Sequence, residues 1–379
     1  MKIAIMTQPL GRNYGGMMQA YALQKVLKDM GHEVVTINHH APSKGAVYRL
    51  ARLGFRLLKK VTGQRKQPVN FEKHYSYIFQ DTQAFVDQHI TQSEYIDNDA
   101  DLKAHFDKNS YDAVIVGSDQ TWRPMYSPNI YNYYLDFLEH DTKIKKIAYA
   151  SSFGVDTWEY SAEQTHRCAE LAKLFDAISV REQSGMELCE KYLGVESECV
   201  LDPTLLLDKE DYLALIGDRY KGAQGKGVFT YFLDTSEDKE SAAVQLAAKL
   251  ETHTYKCYAN VGVSQPTSAN VDDYRMPPVE EWLASFANAE FVLTDSFHGC
   301  VFSIIFNKPF IAIGNKERGL GRFESLLTIF GLSDRLVLDN NIDIQALVKK
   351  EIDWKEVNFR LIEYKAASMS FLKRSIVIN

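Results

Sequence analysis

The sequence predicts an α/β protein built from two halves of similar design. Short apolar segments typical of buried strands alternate with amphipathic helical segments along most of the 379 residues. This length is long for a single core, so two domains are expected. A polar, glycine-rich stretch at 217–227, GDRYKGAQGKG, separates the two series of strands and helices. We therefore predict one domain over 1–220 and a second over 221–379, which ends in a helical segment.

Composition and charge limit the class of protein. Apolar residues make up 45% and charged residues 25% of the chain, as in ordinary globular proteins. The net charge of −7 gives the surface as a whole no attraction for nucleic acid, so no nucleic-acid partner is expected. Five scattered cysteines without a CxxC pair indicate reduced thiols. The N-terminal apolar stretch is too short for a signal peptide, and together these features predict a cytoplasmic protein.

The first half opens with a strand–helix–strand unit. A buried strand is predicted at 2–7, a helix at 17–30 that Gly31 ends, and a second strand at 32–38. The loop GRNYGG at 11–16 precedes the helix, where backbone N–H groups can face an anion or sugar hydroxyls. It is not a GxGxxG dinucleotide fingerprint, and a tight turn is an equally good interpretation.

A basic amphipathic segment follows at 41–70. Arginines and lysines alternate there with leucine, phenylalanine and valine, which predicts a helix with a basic and an apolar side. Such a helix could lie on an anionic membrane surface through residues 47–66, which would place the protein at the inner face of the membrane, or contact a lipid-linked substrate. The other interpretation is a solvated helix that covers a domain. A further helix, rich in aromatic residues, is predicted at 71–89.

Polar residues follow two later strands of the first half. The strand 111–116 runs into GSDQTW, and the strand 177–180 ends at Arg181. Ligands of open α/β sheets bind at the carboxyl ends of strands, so both positions are candidate sites. Asp119 is either a binding residue or a helix-cap or turn residue. Arg181 could hold a phosphate or carboxylate by bidentate hydrogen bonds, or could form an ion pair with Glu182 or Asp202.

The remaining elements continue the alternation of strands and helices. In the first half we predict a strand at 145–150 and helices at 161–174 and 182–192. In the second half we predict strands at 228–233, 256–261, 291–293 and 310–313, and helices at 236–250, 279–287, 301–306, 323–330 and within 343–375.

The joint between the strand 291–293 and the helix 301–306 carries the sequence TDSFHG. The residue there is His298, and histidine is a residue type suited to proton transfer, although a core or turn histidine is the alternative. Arg318 and Arg322 lie near a glycine-rich loop and are either an anion clamp or surface arginines. No cluster of histidine, aspartate and glutamate has the spacing of metal ligands, so neither a metal nor another cofactor is predicted.

Five motifs, taken in chain order, resemble the polysaccharide pyruvyl transferase family. They are NYGGMMQAYALQ, VGSDQTW, SVRE, LDPTLLL and TDSFHGCVFSIIFNKPF, and together they extend over nearly the whole chain. The resemblance implies two Rossmann-like domains that face each other across a cleft, as in glycosyltransferases of the B type. It also implies transfer of pyruvate from phosphoenolpyruvate onto two hydroxyls of a sugar as a ketal. Such reactions belong to the synthesis of capsule, exopolysaccharide or cell-wall polymers.

The resemblance also assigns roles to residues. His298 is similar to the family's catalytic histidine and is expected to be the general acid, with Asp119 as a candidate general base. Some members have an arginine two residues before this histidine, where the present chain has Ser296. The charge for the phosphate is then expected from Arg318 or Arg322, or else the donor differs. The expected donor site contains Arg181, Arg318, Arg322, Ser296 and Gly299. The expected acceptor site contains Asn13, Tyr14, Gly15, Gly16, Ser118 and Gln120.

Two other functions fit the same features. A glycosyltransferase that uses a nucleotide sugar is one, because a single architecture can host different chemistries. A non-catalytic sugar-binding protein of a polysaccharide locus is the other, and the serine at position 296 favours it.

Overall fold

The computed structural model describes residues 1–42, 44–65, 67–220, 227–262, 266, 270–314, 319–338, 348 and 350–377. Within these residues, strands of the first half are β1 Lys2–Met6, β2 Glu33–His39, β3 Gln92–Ile96, β4 Ala113–Val116, β5 Lys145–Ser151, β6 Ala177–Val180 and β7 Glu198–Cys199. Those of the second half are β8 Val228–Tyr231, β9 Thr254–Tyr255, β10 Phe291–Thr294, β11 Phe310–Gly314 and β12 Leu336–Leu338. They form two parallel sheets, in the orders β3-β2-β1-β4-β5-β6-β7 and β12-β11-β10-β8-β9.

Helices cover both sheets. In the described part of the first half they are α1 Tyr14–Asp29, α2 Ala46–Val61, α3 Tyr75–Ile78, α4 Gln80–His89, α5 Asp99–Lys108, α6 Ala162–Ala172, α7 Gln183–Leu188 and α8 Lys209–Tyr220. In that of the second half they are α9 Glu237–Lys249, α10 Val279–Asn288, α11 Phe297–Ile305, α12 Gly321–Ile329 and α13 Trp354–Ile376. None of the described helices is both long enough and apolar enough to cross a membrane.

The alternation of strands and helices is confirmed, but several predicted elements differ. The strand expected at 256–261 is wrong, because only Thr254 and Tyr255 pair with β8. The chain then leaves the sheet, and Val261 N donates to Asp273 O at 2.8 Å. The single helix expected at 71–89 is a 3₁₀ turn followed by α3 and α4. The sequence interpretation also missed β3 and α5.

The two halves pack tightly through aromatic residues. The ring of Tyr14, at the start of α1, stacks on Trp282 of α10 with centroids 4.9 Å apart and an interplanar angle of 9°. The Tyr14 hydroxyl donates to Pro277 O at 2.7 Å, and Met276 N donates to Ile78 O at 2.9 Å. A stacked aromatic pair adds roughly 1 kcal/mol beyond the area that it buries. These contacts hold the two sheets in a fixed relation.

The last helix, α13, returns to the first half. Ser368 Oγ accepts a hydrogen bond from Leu201 N at 3.0 Å, and Phe371 lies against Tyr149 of β5 with centroids 6.2 Å apart. Arg374 forms an ion pair with Glu198 of β7. The first sheet is therefore partly covered by a helix that follows the second sheet in sequence. The domain boundary near 220 stays a prediction, and residues 221–226 of the predicted linker lie outside the described residues.

Each sheet has a point where the strand order reverses. In the first sheet β1 lies between β2 and β4, and in the second β8 lies between β9 and β10. Successive connections leave such a point in opposite directions, which opens a crevice beyond the carboxyl ends of the two central strands. The fold thus predicts ligand binding beyond the ends of β1, β4, β8 and β10.

Candidate active site

A cleft of about 400 Å³ lies at these strand ends, between the two halves. The first half contributes Gln8, Pro9, Asn13, Gly16, Asp119, Gln120 and Tyr126. The second half contributes Leu233, Asp295, Ser296, Phe297, His298, Arg322 and Phe323. Residues that are far apart in sequence therefore meet at one site because both sheets reverse their strand order there.

His298 lies in the first turn of α11, on the wall of the cleft. Its side chain is 8% exposed, and Nε2 makes no hydrogen bond to any described residue. The nearest charged group is the carboxylate of Asp202, with Oδ2 at 3.7 Å from Nε2. That separation exceeds a hydrogen bond but suits an ion pair when the imidazole carries a proton. Burying a ring nitrogen without a hydrogen-bond partner carries a desolvation cost, so its presence at a cleft calls for an explanation.

The absence of a side chain at Gly15 of α1 leaves the space that the His298 ring occupies. A Cβ atom on Gly15 would lie 2.0 Å from Nδ1 and 2.4 Å from Cγ of His298. Helix α1 therefore approaches the imidazole more closely than any residue with a side chain would permit. Gly15 thus contacts the candidate acid, and its predicted role in acceptor binding stays a prediction.

Replacing Gly15 by alanine should displace the His298 ring. Because a shift of about 1 Å at a reacting group can cost on the order of 10²-fold in rate, we expect kcat to fall by about that factor. The measurement is steady-state kinetics alongside thermal unfolding. Gly54→Ala is the matched control, since nothing lies within 4 Å of its added Cβ. Unchanged kcat in Gly15→Ala would contradict this positioning role.

Asp202 is the centre of a charge network beneath the cleft. It follows β7 in the LDPT stretch, and both carboxylate oxygens accept hydrogen bonds. Oδ2 accepts from Ser118 Oγ at 2.9 Å and Arg181 Nη1 at 2.8 Å, while Oδ1 accepts from Thr204 Oγ1 at 2.7 Å and Thr204 N at 3.0 Å. Burial acts to raise the pKa of Asp202, but His298, Arg181 and Thr204 hold that pKa well below its usual range. Asp202 is therefore a buried carboxylate that faces the imidazole.

Arg181 lies below the cleft, 3% exposed. Besides Asp202, its guanidinium contacts Asp119 Oδ1 at 3.3 Å and Glu182 Oε2 at 3.8 Å, and it lies 4.5 Å from the Phe297 ring centroid. Burial acts to lower the pKa of Arg181, but these carboxylates outweigh it and raise that pKa. The ion pair with Asp202, one of the two interpretations of the sequence, is present. Donor binding by Arg181 stays a prediction, since its charge is shared among three carboxylates.

Asp119 connects this network to the cleft. It lines the cleft wall while its carboxylate contacts Arg181. Its φ angle of +72° is in the left-handed region, and its backbone oxygen accepts from Ser152 N at 3.0 Å and Thr121 N at 2.8 Å. A left-handed backbone costs roughly 1 kcal/mol in a residue other than glycine, and such strain is concentrated at functional sites. The arrangement supports a role for Asp119 at the site.

The predicted acceptor residues divide into two groups. Asn13, Gly16 and Gln120 lie on the cleft wall, where Asn13 also caps α1 by accepting from Gly16 N at 3.2 Å. Ser118 is buried beneath the wall and donates to Asp202, and Tyr14 packs between the two halves. Tyr14 and Ser118 thus do not line the cleft but support the residues that do.

The predicted donor residues are likewise divided. Ser296 and Arg322 line the cleft, at the N-terminal ends of α11 and α12. Gly299 is buried, and a Cβ there would lie 2.1 Å from Thr294 Oγ1, so its glycine lets α11 pack against the end of β10. Arg318 lies outside the described residues.

Asp202, Asp295 and Tyr126 are among the residues of the site that the sequence interpretation missed. Asp202 was considered only as an ion-pair partner, because the short strand β7 that precedes LDPT was not predicted. Asp295 lines the cleft and accepts from Leu233 N at 2.7 Å and from the buried Lys239 Nζ at 2.9 Å, which ties the ends of β8 and β10 together. Tyr126 exposes an aromatic ring at the cleft wall. In the described residues no group of three or more His, Cys, Asp or Glu side chains is arranged to hold a metal.

Comparisons with known proteins agree with this architecture. A family model described as polysaccharide pyruvyl transferase matches residues 13–317. The chain is similar in structure to the UDP-GlcNAc 2-epimerase of Methanocaldococcus jannaschii in complex with UDP-GlcNAc and UDP, at 11% identity and a TM-score of 0.51, over 96% of this chain and 100% of that one. It is also similar to the Neisseria meningitidis UDP-GlcNAc 2-epimerase bound to UDP-GlcNAc, at 9% identity and a TM-score of 0.50, over 98% and 94% of the two chains. A search of curated proteins found no match.

At such low sequence identity, these structural similarities show the fold alone. That fold consists of two Rossmann-like domains across a cleft, as in glycosyltransferases of the B type, which confirms the predicted fold class.

Proposed function

Because this chain belongs to the polysaccharide pyruvyl transferase family and is a transferase, we propose that it moves pyruvate from phosphoenolpyruvate onto two hydroxyls of a sugar as a ketal. One observation carries the proposal. The buried imidazole of His298, with no hydrogen-bond partner for Nε2 among the described residues, meets the cleft beside the carboxylate of Asp202.

The proposed chemistry begins with proton transfer to carbon. His298, as the imidazolium, donates a proton to the methylene carbon of phosphoenolpyruvate, which becomes a methyl group and leaves a cationic centre at C2. A sugar hydroxyl attacks C2, forms the first C–O bond and gives its proton to Asp119. The C2–O bond to phosphate then breaks, and Asp119 passes its proton to the departing phosphate. The second hydroxyl forms the other C–O bond of the ketal and gives its proton to the neutral imidazole of His298, which restores the imidazolium. The products are the ketal and inorganic phosphate.

The donor side of the proposed site lies in the second half. Phosphoenolpyruvate carries a phosphate and a carboxylate, so its site needs positive groups and N–H donors. The first turn of α11 begins at Phe297 and includes His298, and the backbone N–H groups of a helix N-terminus favour an anion. Arg322, on the same cleft wall, supplies the cationic side chain that position 296 lacks.

Arg322→Gln should therefore weaken donor binding. We expect KM for phosphoenolpyruvate to rise by about 10- to 100-fold with a smaller change in kcat, since a charge-assisted hydrogen bond contributes on the order of 1.5–3 kcal/mol. Arg275→Gln is the matched control, because Arg275 forms an exposed ion pair with Asp81. Equal KM values in wild type and Arg322→Gln would contradict the donor assignment.

The acceptor side of the proposed site lies in the first half. Asn13 and Gln120 offer amide groups to sugar hydroxyls, and the exposed ring of Tyr126 offers a face for a sugar to stack on. We assign to Asp119, which lines the same cleft, the role of accepting the hydroxyl proton. We propose that the acceptor belongs to a capsular, exopolysaccharide or cell-wall polymer, as a lipid-linked oligosaccharide handled in the cytoplasm.

A direct test is phosphate release from phosphoenolpyruvate in the presence of nitrophenyl galactosides or lipid-linked sugars. The proposal requires release that depends on the acceptor, with pyruvate retained in the sugar product. Calorimetric titration separates the glycosyltransferase alternative, which requires binding of a UDP or GDP sugar and no binding of phosphoenolpyruvate. Sugar binding without any phosphate release would instead indicate a non-catalytic protein.

A further inference from the structure

Helix α2 presents its apolar side to solvent. Val47, Leu50, Leu58 and Val61 are 83%, 69%, 62% and 79% exposed, and Phe55 and Leu57 on the same side are also exposed. No residue of α2 is buried. A contiguous exposed apolar surface of this size is unusual on a protein that has no partner for it, and it marks an interaction site.

The basic side of α2 contacts the segment that follows the helix. Arg52 and Arg56 both form ion pairs with Glu72, the latter at 2.7 Å, and Arg56 also donates to Val69 O at 3.2 Å. A solvated helix that covers a domain has the opposite arrangement, with its apolar side on the core and its charges outward. The structure therefore favours the membrane interpretation of the segment over the alternative of a covering helix.

The charge of the residues around α2 indicates what kind of surface would bind its apolar side. Residues 44–71 contain eight lysines and arginines and no aspartate or glutamate, in a chain of net charge −7. Arg49 and Lys60 are exposed and, at helical spacing, lie next to Leu53 along one edge of the apolar side. Long basic side chains at such borders can bury their stems in an apolar layer and place their charges among anionic headgroups. Local positive charge on an acidic protein points to an anionic surface.

We propose that α2 docks the protein on an anionic lipid bilayer, with the helix in the plane of the interface and its apolar side among the acyl chains. Apolar contact and electrostatic attraction supply two separate contributions to binding, which together make a peripheral anchor stable yet reversible.

This docking surface is connected to the proposed acceptor side of the cleft. The Arg12 guanidinium lies 4.8 Å from the Tyr75 ring centroid and 5.4 Å from that of Phe79, in the segment that follows α2. Thr82 Oγ1 donates to Gly11 O at 2.6 Å. The loop that leads to Asn13 therefore rests on the helical segment 75–82, which follows α2 in the chain. If the proposed function holds, docking brings this loop to the membrane, where a lipid-linked sugar would be available.

Vesicle co-sedimentation tests the docking surface. We expect the wild type to bind vesicles of phosphatidylcholine and phosphatidylglycerol about tenfold more tightly than vesicles of phosphatidylcholine alone, and added salt to weaken binding. The variant Leu50→Ser/Leu58→Ser/Val61→Ser should lose about tenfold or more in affinity for the anionic vesicles. Arg49→Gln/Lys60→Gln should lose mainly the preference for anionic lipid.

The control is Val244→Ser, which changes an exposed apolar residue on α9 and should bind like the wild type. Absence of wild-type binding, or unchanged binding in the triple variant, would overturn the proposal. A second result would also overturn the proposal. If the wild type is a dimer in analytical ultracentrifugation and does not bind vesicles, and the triple variant is a monomer, then α2 is a protein interface. Vesicle binding requires no turnover of phosphoenolpyruvate. A protein that fails to bind vesicles therefore contradicts the docking proposal and leaves the proposed activity untouched.

Discussion

Replacing His298 by alanine is expected to lower kcat by about 10²–10⁴-fold, the range typical of a lost general acid. Without the imidazole, no proton reaches the methylene carbon and C2 gains no positive charge. Gly15 and the first turn of α11 hold the ring at the cleft, and the described residues provide no hydrogen-bond partner for Nε2. The measurement is phosphate release at saturating donor and acceptor.

Two further measurements separate catalysis from folding in His298→Ala. The variant should lose some free energy of unfolding with the Asp202 contact but should stay folded, because Asp202 keeps Ser118, Arg181 and Thr204 as partners. Its donor affinity, measured by calorimetry, should change much less than kcat, since Arg322 and the α11 N-terminus are retained. Phosphate release equal to that of the wild type would assign the proton transfer to another group.

The second large effect is expected at Asp202. Removing its carboxylate in Asp202→Ala leaves the Arg181 guanidinium buried with weaker partners, and breaking a buried ion pair in this way costs about 3–5 kcal/mol. Asp202→Asn should also destabilise the protein, because both carboxylate oxygens accept from donors and an amide NH₂ would face a donor in either orientation. Urea unfolding monitored by fluorescence gives the free energies. A loss below about 1 kcal/mol in both variants would contradict the central role of Asp202.

The same carboxylate predicts how stability depends on pH. The pKa of Asp202 is lower in the folded protein than in the unfolded chain, where it is about 3.9. Its contribution is therefore complete above about pH 4 and is lost as the pH falls below that value. Burial raises the pKa of Glu182, whose effect has the opposite sign and is felt at higher pH. Glu182 is present in both wild type and Asp202→Ala, so its effect cancels when the free energies of unfolding of the two proteins are subtracted. The difference that remains reports on Asp202 and should become smaller as the pH falls.

The sequence allowed the fold class and the position of His298 to be predicted, because both depend on local order along the chain. A histidine directly after a buried strand must lie at the ligand-binding edge of a parallel sheet. The central place of Asp202 was not predictable in this way. Its partners Ser118, Arg181 and His298 come from three other strand ends, and only the strand order of both sheets brings them together. Likewise, the periodicity of α2 showed an apolar side, but only tertiary contacts show which way that side faces.

The path of α13 also affects how the protein forms during synthesis. A ribosome completes every strand of the first sheet by Cys199, yet the helix that packs on Tyr149 and Leu201 begins only at Trp354. Until that helix emerges, part of the nascent first half exposes apolar surface to solvent and to chaperones. The two halves are therefore expected to reach their native state together rather than one after the other, and a truncation before Trp354 should yield an aggregation-prone chain instead of an isolated first domain.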